Sequence, residues 1–327
     1  MKRILIANIF GIGDVLFTTP VITNLKEAFG GVSIDYLCNG RTKDILKCNT
    51  DVDEVFVYEK DDYLRLWRES RTAAVKKVIE LWRSLRGRRY DMVFDFTLSR
   101  RFGFLFALAG IPRRVGLDYK RRGIFLTDKI KLTGFEKKHV VEYYLDLLEK
   151  LDIPVTQRGM SLAASPEAIE WALGAIGGKG ISAGTLVAVI PGGGASWGPQ
   201  AFRKHWPARK FAGVADILSG YGYPVAVLGS DAETELCGVM ADAMRTKPVI
   251  AENGLTLERY IALLSVCGLV LCNDGGPLHM AAALGVKTVS IFGPVAPEVY
   301  GPYPASDGNR VMTAPDLPCR PCYHKFR

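Results

Sequence analysis

A carboxylate follows the first glycine-rich segment of the chain, in a position that would let it move a proton. Asp14 closes the sequence NIFGIGD, which comes directly after an apolar run and opens a helix-forming stretch. A carboxylate in that position is either a general base or a helix N-cap, and composition alone favours the cap. Leu16 stands where a dinucleotide fingerprint has its third glycine, so the segment predicts no NAD site.

A second glycine-rich segment, PGGGASW, follows another apolar run and is suited to hold an anion. The backbone N–H groups of Gly193 and Gly194, the Ser196 hydroxyl and the Lys204 ammonium are donors for a diphosphate. Pro207 would open a helix whose positive end adds to that attraction. The segment lacks the Gly-Lys-Ser/Thr of a Walker A loop, and a plain flexible turn is the alternative interpretation.

The third segment, LCNDGGPLH, runs from an apolar strand pattern into a helix. Asp274 would cap that helix or accept hydrogen bonds from a ribose, and the N–H groups of Gly275 and Gly276 would meet a phosphate. His279 lies in the first helical turn, where the dipole lowers its pKa and favours a neutral ring. Glu233 also follows an apolar run, and it would either contact a nucleotide or favour a helix N-terminus.

These segments can act together only if the fold brings the ends of several strands close to one another. The sequence is consistent with such a fold, because strand and helix patterns alternate along the chain. Continuous apolar runs such as Arg3–Asn8 indicate parallel strands buried on both faces. The pattern predicts one helix from Asp14 to about Phe29, with Pro20 inside it, and one long helix from Asp62 to Arg86.

The alternation lapses at residues 152–166, where two prolines and small polar residues indicate a linker. We therefore predict an α/β protein of two parallel-sheet domains, 1–157 and 158–327. Ligands of open parallel sheets bind beyond the carboxyl ends of the strands, which is where the glycine-rich segments fall. Ser165 and Pro166 are expected to cap and begin the first helix after the linker.

Charge is concentrated in one stretch of the chain. Residues 60–122 hold seventeen Lys and Arg against seven Asp and Glu, while the whole chain has a net charge of +8. Such a stretch implies an anionic partner: nucleic acid, phospholipid headgroups or a phosphorylated substrate. A solvated helix face is the other interpretation.

Cysteine usage and hydropathy limit the class of protein. Seven cysteines, an odd number mostly in apolar surroundings, indicate reduced thiols of a cytoplasmic protein. Cys319 and Cys322 form a single C-x-x-C without the second pair that a structural zinc site needs, so we predict no metal ligands, and metal binding by this pair is the alternative interpretation. No apolar stretch is long enough to span a membrane.

Taken together, three stretches resemble glycosyltransferase family 9, the heptosyltransferases of lipopolysaccharide core assembly: GIGDVLFTTPVITNLKEAFG, PGGGASWGP with KHWPARKFA, and LCNDGGPLHMAAALGVKTVSIFGP. HVVEYYLDLLEKLDI before the linker also fits. The resemblance covers nearly the whole chain. It implies GT-B architecture, in which two Rossmann-like domains face an interdomain cleft. The first domain would bind the acceptor and the second a nucleotide sugar, typically ADP-heptose. The family inverts the anomeric centre and uses neither metal nor cofactor.

The resemblance also assigns roles to residues. Asp14 matches the proposed catalytic base, Ser196 and Lys204 match diphosphate-binding positions, and Glu233 matches a nucleotide-binding carboxylate. The remaining donor-binding candidates are Gly193, Gly194, Asp274, Gly275, Gly276 and His279. The acceptor-binding candidates are Gly13, Arg100, Arg101 and Arg121. Two departures stand out: Gly275 replaces the usual Ser or Thr, and the chain ends soon after Cys322, which suggests truncation at the C-terminal end.

The resemblance gives the basic stretch a purpose, because the acceptor would be a phosphorylated glycolipid at the cytoplasmic face of the inner membrane. The segment Tyr63–Arg89, with Leu64 and Trp67 among arginines, would lie on the headgroups as a peripheral contact. Packing of an ordinary domain helix is the alternative. Two other functions are weighed: a nucleotide-sugar epimerase, and a nucleic-acid-binding protein, which lacks supporting motifs and is not predicted. The sequence leaves the oligomeric state open.

Overall fold

The computed structural model describes residues 1–194, 198–314 and 317–322, and the chain divides into two compact units. The first unit comprises Met1–Phe135 and Val140–Arg158, and the second comprises Glu136–His139 and Gly159–Arg327. Assigning the acceptor to the first unit and the donor to the second remains a prediction.

A parallel sheet forms the centre of the first unit. Its strands are β1 (Arg3–Ala7), β2 (Ser33–Cys38), β3 (Glu54–Val57), β4 (Met92–Asp95), β5 (Arg113–Tyr119) and β6 (Asp128–Leu132). The spatial order is β3-β2-β1-β4-β5-β6, and every neighbouring pair is parallel. Ile4, Leu5 and Ile6 of the central β1 are fully buried, as the apolar run predicted.

The second unit repeats this architecture. Its strands are β7 (Val187–Ile190), β8 (Val225–Gly229), β9 (Ile250–Asn253), β10 (Leu269–Asn273), β11 (Lys287–Phe292) and β12 (Asn309–Thr313). They lie in the order β12-β11-β10-β7-β8-β9, again with every pair parallel. Two parallel six-stranded sheets confirm the predicted α/β class with two Rossmann-like halves.

Helices connect the strands in both units. Those of the first unit are α1 (Ile12–Leu16), α2 (Thr19–Ala28), α3 (Lys60–Glu69), α4 (Arg71–Arg88), α5 (Arg100–Leu108) and α6 (Val140–Glu149). Those of the second are α7 (Pro166–Gly177), α8 (Ala208–Gly220), α9 (Thr234–Ala243), α10 (Leu257–Ser265), α11 (Gly276–Ala283) and α12 (Pro297–Tyr300). Short 3-10 helices span Lys43–Ile45, Gly198–Lys204 and Asp231–Glu233. Across the described residues, no helix combines the length and apolarity that crossing a bilayer requires.

Two predicted helices are each divided in the structure. The stretch from Asp14 to Phe29 forms α1 and α2, so Pro20 lies in the first turn of α2, where its missing N–H breaks no helical hydrogen bond. The long helix predicted to Arg86 breaks at Ser70, whose backbone is extended. The Ser70 hydroxyl accepts a hydrogen bond from the Ala73 N–H at 3.3 Å and so caps α4.

The predicted start of α7 is confirmed. Ser165 is the N-cap, Pro166 occupies the first turn, and the Ala168 N–H donates to the Ser165 hydroxyl at 3.2 Å. The apolar faces of the helices then pack on the sheets. In the first unit Leu5 and Val93 of the sheet share a core with Phe106 of α5.

Candidate functional site

Three loops meet at the carboxyl edge of the second sheet. Strands β10, β7 and β8 are neighbours and parallel, so the loops after Ile190, Gly229 and Asn273 leave the sheet at the same edge. These loops carry the predicted donor-binding residues, and their contacts with one another define the candidate site.

Glu233 joins the loop after β8 to the glycine-rich loop after β7. Its Oε1 accepts hydrogen bonds from the N–H groups of Gly193 and Gly194, both at 2.9 Å. Its Oε2 accepts from the Ser230 N–H at 3.0 Å and from the Ser230 hydroxyl at 2.7 Å. Burial opposes ionisation of Glu233, but these four donors hold its pKa below the usual value.

The predicted diphosphate cradle therefore needs a correction. The N–H groups of Gly193 and Gly194 were expected to face a ligand, and in the structure they donate to the protein's own Glu233 carboxylate. Glu233 consequently shapes the loop by satisfying its donors. Ser196, the predicted hydroxyl donor of this loop, lies outside the described residues.

Lys204 ends the 3-10 helix Gly198–Lys204, and its ammonium lies beside the third loop. The distance from Lys204 Nζ to Asp274 Oδ2 is 2.7 Å, and the two side chains are 8% and 5% exposed. The expectation that Asp274 caps α11 is wrong, because the N-cap residue is Gly275. The two groups form a buried ion pair between two of the predicted donor-binding residues.

Asn273 is a site residue that sequence reasoning did not select. Its side-chain amide donates to the carbonyl oxygens of Pro191 and Gly192 at 2.7 and 3.1 Å. Its Oδ1 accepts from the Trp206 N–H at 2.9 Å. Asn273 thus ties the β7 loop to the chain that follows Lys204. The sequence signal that could have selected Asn273 was its position as a polar residue at the end of an apolar strand pattern.

Close contact between the loops explains why residue 275 is glycine. A Cβ added to Gly275 would lie 2.0 Å from the carbonyl oxygen of Gly193, a distance that no side chain tolerates. A Cβ on Gly193 would lie 2.9 Å from the Asp274 carbonyl oxygen, and one on Gly192 would lie 1.9 Å from Glu233 Oε1. A Ser or Thr at 275, which the resemblance led us to expect, would require the two loops to move apart.

His279 is a buried residue in the first turn of α11, which also contains Gly276. Its pKa is lowered to about 3, chiefly by burial and then by His139 and Lys204. A neutral ring was predicted from the helix dipole, and in the structure loss of hydration is the main cause that favours it.

Asp14 lies at the carboxyl edge of the first sheet, after β1. It is the third residue of α1, not the N-cap, and its Oδ2 accepts a hydrogen bond from the N–H of the N-cap residue Gly11 at 3.1 Å. The side chain of Asn8 donates to the Asp14 carbonyl oxygen at 2.9 Å. Asp14 therefore stabilises the start of the helix, as the capping interpretation expected, but it does so from the third helical position and not as the N-cap residue. Asp14 is partly buried.

The acceptor-side candidates follow neighbouring strands of this sheet. Gly13 belongs to α1, after β1, while Arg100 and Arg101 begin α5, after β4. Arg121 lies in the loop after β5 and has a left-handed backbone with φ of 57°. All three arginines are exposed. Because β1, β4 and β5 are adjacent and parallel, these residues share one edge of the first sheet with Asp14.

Asp95, at the end of β4, is a second residue that sequence reasoning missed. It lies inside the apolar run MVFDF and is 5% exposed. Burial raises its pKa to about 6, against the opposing effect of hydrogen bonds from Thr97. An acidic residue within a buried strand pattern was the signal that could have selected it.

The described residues contain no group of three or more His, Cys, Asp or Glu side chains placed to hold a metal ion. Metal independence of the chemistry stays a prediction.

Comparison with known proteins decides the family. The model of glycosyltransferase family 9 (heptosyltransferase) matches residues 78–326, well over half of the chain. The chain belongs to glycosyltransferase family 9. This family 9 protein is therefore a glycosyltransferase, and the predicted relationship is confirmed.

Named relatives agree with the family 9 assignment. Lipopolysaccharide heptosyltransferase 1 of Pseudomonas aeruginosa is 26% identical over 339 residues, covering 99% of this chain and 86% of that protein. Lipopolysaccharide heptosyltransferase 3 of Escherichia coli K12 is 28% identical over 291 residues, covering 86% of this chain and 79% of that protein.

Solved family 9 structures share the fold. A glycosyl transferase family 9 protein from Veillonella parvula matches with a TM-score of 0.82 and 24% identity, covering 99% of this chain and 91% of that one. The E. coli ADP-heptose lps heptosyltransferase II matches with a TM-score of 0.76 and 24% identity, covering 95% and 90%.

Proposed function

We propose that this protein transfers a heptose from ADP-heptose to a lipopolysaccharide-core or related glycolipid acceptor, with inversion at the anomeric carbon. Two kinds of support converge. The relatives named above are lipopolysaccharide heptosyltransferases. The second unit, independently, brings Lys204 and Asp274 to the sheet edge that also carries the glycine-rich loop after β7.

The observation that carries the proposal is the buried ammonium of Lys204 beside Asp274, in the loop that follows β10. When the bond from the anomeric carbon to the diphosphate breaks, the electron pair stays on the departing nucleotide. A cation fixed in a water-poor site stabilises that charge as it develops. Asp14 would take the proton of the acceptor hydroxyl as its oxygen attacks the anomeric carbon.

A transfer assay with purified protein tests this function. ADP-heptose and a lipopolysaccharide-core acceptor are incubated together, with matched reactions that omit the acceptor or contain EDTA. We expect a heptosyl-acceptor product by mass spectrometry, released ADP, and no effect of the chelator. A changed sugar in the reaction without acceptor would instead indicate an epimerase, and complete inhibition by EDTA would contradict the metal-free mechanism.

We further propose that helices α3 and α4 contact the anionic cytoplasmic leaflet peripherally. Helix α3 buries none of its residues, and its Leu64 and Trp67 are 46% and 55% exposed. These apolar side chains stand within the stretch that holds the excess of Lys and Arg. Each basic residue near an anionic leaflet contributes about 1 kcal/mol, and the apolar side chains add burial.

Vesicle sedimentation examines this contact. The protein is expected to bind phosphatidylglycerol vesicles and to release them as salt is raised, with little binding to phosphatidylcholine. Trp67→Ser should weaken binding about tenfold, since an interfacial aromatic is lost. Tyr221→Ser, which removes a 79% exposed aromatic from the second unit, is the matched control. Equal binding by the Trp67 variant would contradict the proposed contact.

A further inference from the structure

An open pocket in the first unit lies where strands β4 and β5 end. Its walls include Asp95, Ser99, Gly103, Arg122 and Phe125, and the centre of a water molecule can occupy about 10 Å³ of it. That is about the space that one water molecule needs. The pocket therefore admits a single hydroxyl group of a ligand that lies across its opening.

One carboxylate oxygen in this pocket has no internal hydrogen-bond partner. Asp95 Oδ1 accepts both bonds from Thr97, from the N–H at 2.9 Å and from the hydroxyl at 2.6 Å. Among the described residues no hydrogen bond or ion pair reaches Oδ2, which lies 3.8 Å from the position a Cβ would take on Gly103. This oxygen is not fully shielded from solvent, so a hydroxyl group of a ligand can reach it and donate a hydrogen bond to it.

The surroundings favour hydroxyl groups over phosphate. Leu126 and Phe125 give the pocket an apolar wall, which suits the C–H face of a sugar ring. Arg122 stands at the exposed rim, where its guanidinium lies 6.0 Å from the ring centre of Tyr119 and makes no ion pair with Asp95. A phosphate placed deep in the pocket would meet the Asp95 carboxylate and be repelled, whereas sugar hydroxyls would donate to it.

The pocket wall that carries Arg122 is held in place by the chain itself. The Gly123 N–H donates to Asp118 Oδ1 at 2.8 Å, and a Cβ on Gly123 would lie 2.9 Å from the Cβ of Asp118. The opposite wall is the first turn of α5, which includes Gly103. Because the walls are fixed before a ligand arrives, little conformational entropy is lost on binding.

The pocket also lies along the same sheet edge as the proposed base. Asp95 is the register partner of Ala7, the last residue of β1, and the segment after β1 leads to Asp14. Parallel neighbours place their following loops side by side. An acceptor sugar that places a hydroxyl group in the pocket would therefore extend along the edge that carries Asp14.

We propose that Asp95 is a specificity-determining residue for the acceptor, and that its Oδ2 accepts a hydrogen bond from a hydroxyl group of an acceptor sugar that lies across this pocket. This role presupposes the glycosyl transfer proposed above. It assigns the pocket to the sugar portion of the acceptor and leaves phosphate groups to the exposed arginines nearby.

Asp95→Asn tests the role with minimal change of shape, since the asparagine Oδ1 can still accept both Thr97 bonds. We expect the KM for the acceptor to rise about 10- to 100-fold, because hydroxyl donors lose a charged acceptor. The KM for ADP-heptose should not change. The unfolding temperature should stay the same or rise, since an unpartnered buried carboxylate is removed.

A second variant and altered acceptors separate this role from a structural one. Gly103→Ala would place a methyl group 3.8 Å from Asp95 Oδ2 and 3.3 Å from the Phe125 Cβ, which fills the pocket without touching Thr97. It should raise the acceptor KM in the same way. An acceptor sugar that lacks the hydroxyl group donating to Asp95 should have a higher KM with wild-type protein. With Asp95→Asn, removal of that same hydroxyl group should not raise the acceptor KM any further. Asp128→Asn, at the amino end of β6, is the matched control.

The outcomes are distinguishable. If wild-type protein transfers no sugar to any acceptor, the proposed function fails whatever the variants do. If wild-type protein is active and Asp95→Asn keeps its acceptor KM, the role of Asp95 is overturned. The role is also overturned if Asp95→Asn raises the donor KM together with the acceptor KM, or if it sharply lowers the unfolding temperature. It is overturned as well if Asp95→Asn and wild type have the same acceptor KM once the acceptor phosphate, and not a hydroxyl group, has been removed.

Discussion

Replacing Asp14 by asparagine is expected to lower kcat for sugar transfer by about 10²- to 10⁴-fold, the range that a general base contributes. The variant keeps a side-chain oxygen that can accept the Gly11 N–H, which lies 3.1 Å from Asp14 Oδ2. The start of α1 should therefore hold its shape while the proton acceptor is lost. Steady-state kinetics give kcat, and calorimetric titration with ADP-heptose should show donor affinity unchanged.

Asp91→Asn provides a control of the same chemistry. Asp91 also accepts backbone hydrogen bonds, from the N–H groups of Lys2 and Arg3 at 2.6 and 3.1 Å, but it precedes β4 instead of following β1. It should lose little activity. Equal loss in the two variants, or a fall in donor affinity with Asp14→Asn, would show that Asp14 serves the fold and not the chemistry.

Lys204→Met is expected to weaken both the second unit and its hold on the donor. The substitution leaves Asp274 buried without its cation, which costs about 3–5 kcal/mol when one member of a buried pair is removed. For a unit of this size that corresponds to a fall in Tm of about 6–20 °C. Binding of ADP and the rate of transfer should fall as well, because the diphosphate loses a fixed positive charge. Thermal unfolding and titration with ADP measure the two effects.

A double variant distinguishes the two contributions of Lys204. Lys204→Met with Asp274→Asn removes the uncompensated charge and should recover most of the lost Tm while ADP binding stays weak. Lys26→Met is the matched control, because its partner Asp53 lies 3.1 Å away in an exposed pair that is worth at most about 1 kcal/mol. Recovery of ADP binding in the double variant would remove Lys204 from the donor site.

The sequence was sufficient for the architecture because burial of a parallel sheet leaves a direct pattern. Runs such as Arg3–Asn8 have no polar alternation, and both sheets formed as predicted. Helix interruptions were harder to place. Ser70 breaks the predicted Asp62–Arg86 helix through a local hydrogen bond to Ala73, and the spacing of apolar residues carries no information about such a cap.

The candidate site was predictable by position but not by contact. Loops after β7, β8 and β10 could be placed at one edge, yet the bond from Gly193 to Glu233 joins residues far apart in sequence. It depends on strand order and on the direction of one side chain. Asp95 was missed for a related reason: its neighbours in sequence are apolar strand residues, and its pocket forms only when α5 and the β5 loop pack beside it.

The contacts among Gly192, Gly193, Glu233 and Gly275 have a consequence for how this protein can change over generations. A side chain at Gly192 would displace the Glu233 carboxylate, and a side chain at Gly193 or Gly275 would displace the backbone of the facing loop. Single replacements there should be rejected, and viable drift would require paired changes. A relative that carries a hydroxyl residue at the position of Gly275 should therefore differ in the path of its glycine-rich loop as well.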